Sequence, residues 1–154
     1  GTGFAGATNM KQIHPILLAL ALGMILSATK CSSPGMTPDA LSALKQGRWG
    51  LATLHGKEPV LPADMEAPYI ALDSASGRLK GFGGCNRMVG DIKIHGDSIS
   101  FPGLASTRMY CEGRQELENE FMTALRAAST FTLKHDRLTL LNAGVELATL
   151  RRGE

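Results

Sequence analysis

The chain has 154 residues, 44% of them hydrophobic, with 16 Lys plus Arg against 14 Asp plus Glu. Those figures suit one small globular domain with a short addition. The formal charge of +2 does not argue for nucleic acid. Both surplus cations, Lys11 and Lys30, lie in a leader expected to be removed, which leaves 14 against 14 from Cys31 onward.

The addition lies at the front. Residues 1–9 read as a cloning remnant or a start assigned too early. Residues 10–30 read as a signal peptide: Lys11 precedes an unbroken apolar run, ILLALALGMIL over residues 16–26. Such a run is far shorter than the roughly 20 residues needed to span a bilayer, but it fits a secretory core. The segment LSATKCSS resembles a bacterial lipoprotein signal, in which cleavage precedes a cysteine that then carries lipid. Cys31 is the expected lipidation site, with residues 31–46 as a tether and the outer membrane as destination. Lys30 stands where such signals carry a small residue, so cleavage near Ala28 to give a soluble periplasmic protein is the alternative.

The remaining elements follow in chain order. Residues 37–44 suggest a short turn or helix. Residues 48–54 read as a strand with Trp49, Leu51 and Thr53 on one face. A loop follows through Pro59, Pro62 and Pro68, then strands at 69–73 and 78–82 around a turn at 74–77. Residues 91–95 and 98–101 alternate about Gly96-Asp97, so Ile92, Ile94, Ile99 and Phe101 share a buried side. A helix is expected over 113–129, with Leu117, Phe121, Leu125 and Ala128 as its apolar stripe. Glu116, Glu118, Glu120 and Arg126 fall mainly off that stripe, as a solvated face. Strands at 131–134, 138–141 and 145–150 close the chain. Arg151-Arg152 reads as a solvated terminus, with a binding patch as the alternative.

The sequence GGCNRMVG, residues 83–90, raises a chemical question. Its approach, Gly81-Phe82-Gly83-Gly84-Cys85-Asn86, begins like a dinucleotide-binding loop but has Asn86 at the third glycine and runs toward a hairpin. A P-loop lacks its Gly-Lys-Ser/Thr ending. A reactive thiol needs a base, and His55, His95 and His135 each sit near a turn with no cysteine-hydrolase signature around them. Neither a cofactor nor a metal is expected. Once Cys31 carries lipid, Cys85 and Cys111 remain as one available disulfide pair, with two separate buried thiols as the alternative.

Trp49-Gly50-Leu51, the G-x-GGCNRMVG segment, Ser106-Thr107-Arg108-Met109-Tyr110-Cys111, and Glu118 with Phe121 resemble the META/HslJ family over residues 47–152. The resemblance implies an α+β, strand-dominated domain: an open, cracked antiparallel β-barrel with one packed amphipathic helix. It implies a stress-related envelope role and no known catalysis. The signature positions are Trp49, Gly84, Cys85, Asn86, Gly90, Thr107, Arg108, Met109 and Cys111. They are read as structural: glycines for close approach or positive φ, Asn86 bonding its local backbone, Cys85 meeting Cys111. Arg108 is expected to satisfy carbonyls or a carboxylate near the turn, with anion binding as the alternative. The expected partners are a membrane, through the anchor, and an envelope protein. A small apolar ligand would need a cavity lined by Phe82, Ile94, Phe101 and Leu140, which otherwise simply fill the core. A thiol redox or cysteine-dependent enzyme is the reading from a different class.

Overall fold

The structure, a computed structural model, describes residues 1–3, 38–73 and 76–153. The expectations for residues 4–9, the signal peptide, Cys31, the tether up to residue 37, and positions 74 and 75 of the predicted turn lie outside them. The chain divides into two units, Gly1–Ser33 and Pro34–Glu154.

The second unit opens with α1 (Pro38–Lys45), followed by β1 (Arg48–Leu54), β2 (Tyr69–Asp73), β3 (Arg78–Phe82) and β4 (Arg87–Asp91). Next come the short strands β5 (Lys93–His95), β6 (Ser98–Ser100) and β7 (Ala105–Ser106). Helix α2 (Gln115–Ala127) leads to β8 (Thr130–Lys134), β9 (Arg137–Asn142) and β10 (Val145–Arg152). All ten strands form one sheet in the order β5-β6-β8-β9-β10-β1-β2-β3-β4-β7, and every pairing is antiparallel.

That order dictates a curl. Only Ile92 separates β4 from β5 along the chain, yet the two strands lie near opposite ends of the sheet. With neighbouring strands about 4.8 Å apart, a flat sheet would hold them well over 30 Å from each other. One intervening residue cannot bridge that gap, so the sheet bends until its ends approach. The result is the open antiparallel barrel expected for the fold class. Helix α2 packs on β1, β9 and β10 and carries Phe121, Met122, Ala124 and Leu125 into the core. Trp49, Ile70, Leu79, Leu138, Leu140 and Leu150 meet them there, all fully buried.

Several local expectations change. Trp49 and Leu51 point inward, but the register shifts between Leu51 and Thr53 in the pairing with β10. This bulge turns Leu54 inward and frees Thr53 to bond Thr149 across the outer face at 2.6 Å. Ile94 lies directly opposite Ile99, yet Ile92 and Ile94 are only half-buried because β5 is an edge strand, whereas Ile99 and Phe101 are core. Helix α1 is docked: Leu44 is fully buried and its carbonyl accepts the Trp49 indole N–H at 3.1 Å. Arg152 is no idle terminus. Its guanidinium donates to the carbonyls of Ala43 and Gln46 at 2.7 and 2.9 Å, closing the C-terminal end of α1.

Candidate functional site

The glycine-cysteine segment is a turn that passes at once into a strand. The Gly83 N–H donates to the Asn86 carbonyl at 2.9 Å, and Arg87 then begins β4, so RMVG is paired sheet rather than bend. Gly84 has φ +115°, a conformation that side chains oppose. Gly83 is fixed by contact: a Cβ there would stand 2.6 Å from Cγ and Oε2 of Glu118. Glycine therefore lets a carboxylate lie against the turn's backbone.

That carboxylate organises the site. Glu118, in the first turn of α2, is only 3% exposed. Its Oε2 accepts the backbone N–H groups of Cys85 at 3.1 Å and Asn86 at 2.5 Å, and its Oε1 accepts the Asn86 side-chain amide at 2.7 Å. The expected solvated glutamate is instead buried and saturated. Residues 118, 121, 122 and 125 form the covered face of α2, and a carboxylate enters that face when N–H donors await it.

Asn86 carries the connection onward. It is 1% exposed, and its side chain bonds a distant segment, not the local turn as expected. Its Oδ1 accepts the Thr107 hydroxyl at 2.8 Å and the Met109 N–H at 2.7 Å, while its Nδ2 donates to the Met109 carbonyl at 3.1 Å. Thr107 also exchanges backbone bonds with Arg87, donating at 3.0 Å and accepting through its hydroxyl at 3.2 Å. Beyond Met109, Cys111 is disulfide-bonded to Cys85, with Cα atoms 5.8 Å apart. The segment between Thr107 and Cys111 is thus tied at both ends.

The clasp displays two large side chains to solvent. Met109 is 59% exposed and Tyr110 81%. Arg108 beside them is exposed too. Among the described residues it makes no hydrogen bond or ion pair, so the expected carbonyl or carboxylate partner is not there. Together with Asn86, Thr107 and Glu118 these side chains line an open polar cleft of about 300 Å³.

The other signature positions are structural neighbours. Trp49 is core, and a Cβ on Gly90 would press on Leu104 at 3.2 Å. His55, His95 and His135 are exposed and do not line the cleft. Cys85 has its sulfur committed to Cys111. Phe101 and Leu140 fill the core and Phe82 is half-buried, so the four residues named for a ligand cavity do not line one. Ile94 instead joins Leu41, Leu72 and Ile92 around a separate groove of about 360 Å³. No group of His, Cys, Asp and Glu that could hold a metal occurs among the described residues. The role of Glu118 escaped the sequence reading. A signal for it was present: an acid three and four residues before Phe121 and Met122, on the apolar side of its own helix.

Comparison with known proteins agrees with this architecture. The META domain family model matches residues 42–154. Heat shock protein HslJ of Escherichia coli strain K12 is 30% identical over 140 residues, covering 87% of this chain and 91% of that protein. An NMR structure of a protein from Burkholderia xenovorans shares the fold with a TM-score of 0.62 at 22% identity, over 76% of this chain and 88% of that one. A second protein solved by NMR gives 0.59 at 28% identity, over 76% and 95%. With a family match spanning the whole sheet, the clasp and α2, the chain belongs to the META domain family.

Proposed function

We propose that this is a non-enzymatic, lipid-anchored protein of the bacterial cell envelope, whose META domain binds or supports another envelope component under stress. The observation that carries this reading is the use made of the reactive groups. The Glu118 carboxylate, the Asn86 amide and the Cys85 sulfur are all consumed in internal bonds. Their combined product is a rigid presentation of Arg108, Met109 and Tyr110, residue types favoured at interface centres. Fixing such a segment beforehand lowers the entropy lost on binding.

A disulfide fits an oxidising, exported setting. Among the described residues no helix is long and apolar enough to cross a membrane, and anchoring is assigned to lipid on Cys31. The stress association rests on the name of the heat shock relative. Site-specific photocrosslinking from positions 109 and 110 in the native envelope tests the binding role. Adducts to a discrete partner are expected there and not from position 132; their absence at both positions overturns it. Detergent phase partitioning of the wild type against Cys31→Ser tests the anchor, and aqueous behaviour in both rejects it.

A second reading, carriage of a small apolar ligand, draws on the groove lined by Leu41, Leu72, Ile92 and Ile94, all half-buried. Its volume of about 360 Å³ lies at the small end of the range for ligand sites.

A further inference from the structure

The outer face of the barrel carries an arrangement that folding alone disfavours. Arg151 on β10 is directly opposite Arg137 on β9, and Arg137 is directly opposite Lys134 on β8. Three cations therefore stand in one row across three adjacent strands, where like charges repel. All three are exposed, and among the described residues none meets a carboxylate or makes a side-chain hydrogen bond. On the far side of Arg151 the row continues to Gly50, which has no side chain.

Two residues along β8, β9 and β10 the cations give way to threonines: Thr132 pairs with Thr139, Thr139 with Thr149, and Thr149 with Thr53 across the bulge. Thr53 and Thr149 bond each other, and Thr53 donates to the Glu146 carboxylate, so the row supplies no charge against the cations and few free hydroxyls. Beside Gly50 the surface sinks into a cleft of about 420 Å³, lined by Arg48, Ala52, Thr53, Arg137 and Arg151 among others. Among the described residues Glu58 is the single carboxylate in that lining, against four guanidinium groups. Two of the four are engaged. Arg48 is paired with Glu66 at 2.8 Å and laid over the Tyr69 ring, and Arg152 holds the carbonyls of α1. Arg137 and Arg151 keep their donors free, and a mature chain with balanced charge supplies no general reason for the cluster.

We infer that this row and cleft bind a phosphate-bearing anion. Guanidinium forks match phosphate oxygens bidentately. A strand spacing of about 4.8 Å spreads the three cations over roughly 10 Å, enough for one phosphate group or two neighbouring ones. The side-chain-free floor at Gly50 lets the anion approach the sheet. The phosphate belongs either to a soluble phosphate ester or to a lipid headgroup. The site lies on the outer face of β8, β9 and β10, is built from other residues than the Asn86 and Glu118 clasp, and does not depend on it.

The test uses the full chain carrying Cys31→Ser. Side-chain Nε–H signals of Arg137 and Arg151 are followed by NMR during titration with inorganic phosphate or glycerol phosphate, with sodium chloride at matched ionic strength as reference. In parallel, co-sedimentation compares phosphatidylglycerol with phosphatidylcholine vesicles for this chain and for Arg137→Gln/Arg151→Gln, which keeps the same leader with Lys11 and Lys30, so that only the part of the preference lost in the double variant is read. Saturable shifts with a soluble phosphate support the inference and identify the ion itself. A preference for phosphatidylglycerol without soluble binding supports it and identifies the headgroup. Either response should weaken at least tenfold in Arg137→Gln/Arg151→Gln, which relieves repulsion on an exposed face and should melt no lower than the wild type. Lys134→Gln serves as a second variant with a smaller loss. No saturable response in either arm, or a response unchanged in the double variant, overturns the inference.

Discussion

The carboxylate of Glu118 accepts the backbone N–H groups of Cys85 and Asn86 from 33 and 32 residues away. One helical side chain thereby closes a turn between two strands. Because the same carboxylate also receives the Asn86 amide, and Asn86 in turn holds both backbone groups of Met109, three segments share one polar network. Among the described residues no buried side-chain polar atom lacks a partner, so removing any member orphans the others.

Glu118→Gln should therefore destabilise the domain by about 3 kcal/mol, because its amide end presents donors to donors. Glu118→Ala should cost at least as much, by leaving two buried N–H groups unpaired. Equilibrium urea unfolding reads both, whereas Glu116→Gln on the same helix should change stability by less than about 0.5 kcal/mol.

Asn86→Asp keeps the shape but sets a second carboxylate against Glu118 and removes the donor to Met109. A loss of about 3 kcal/mol is expected. Hydrogen exchange should quicken at the Met109 amide, while the core of β9 and β10 follows only the global change.

Gly83→Ala inserts a Cβ 2.6 Å from the Glu118 carboxylate. Its cost should be about 3 kcal/mol through overpacking and displaced hydrogen bonds. At Gly96, φ is +61° but the space around it is open. Alanine there should lose only about 1 kcal/mol, from the backbone alone. Thermal melts of the two variants give the comparison.

Replacing Cys85 and Cys111 together by serine opens a link spanning 26 residues. The expected loss is about 3–4 kcal/mol in the chain-entropy picture. The double variant should retain its fold near room temperature and lose midpoint in a denaturant titration.

Much of this was legible in the sequence alone. Alternation located β1, β2, β3 and the β5–β6 hairpin, because a half-buried strand must alternate. The stripe of Phe121, Leu125 and Ala128 located α2, because a 3.6-residue period leaves few other arrangements. What escaped depends on contacts distant in sequence. The Thr53 side chain changes face through a bulge that only pairing with β10 reveals. β4 was hidden because glycine and arginine mask its alternation, though Met88 is buried. Read singly, Glu118 looks solvated and Asn86 looks like a local turn residue; the two are buried only as a pair. The cation row is invisible along the chain, since Lys134, Arg137 and Arg151 become neighbours only through strand register.

The most direct test of the clasp is linkage mapping of the protein from its native cells, alkylated before lysis and digested without reduction. A cross-linked peptide pair joining Cys85 to Cys111, with neither sulfur alkylated, is the predicted result. Recovery of both cysteines as alkylated free thiols in folded protein would contradict the account.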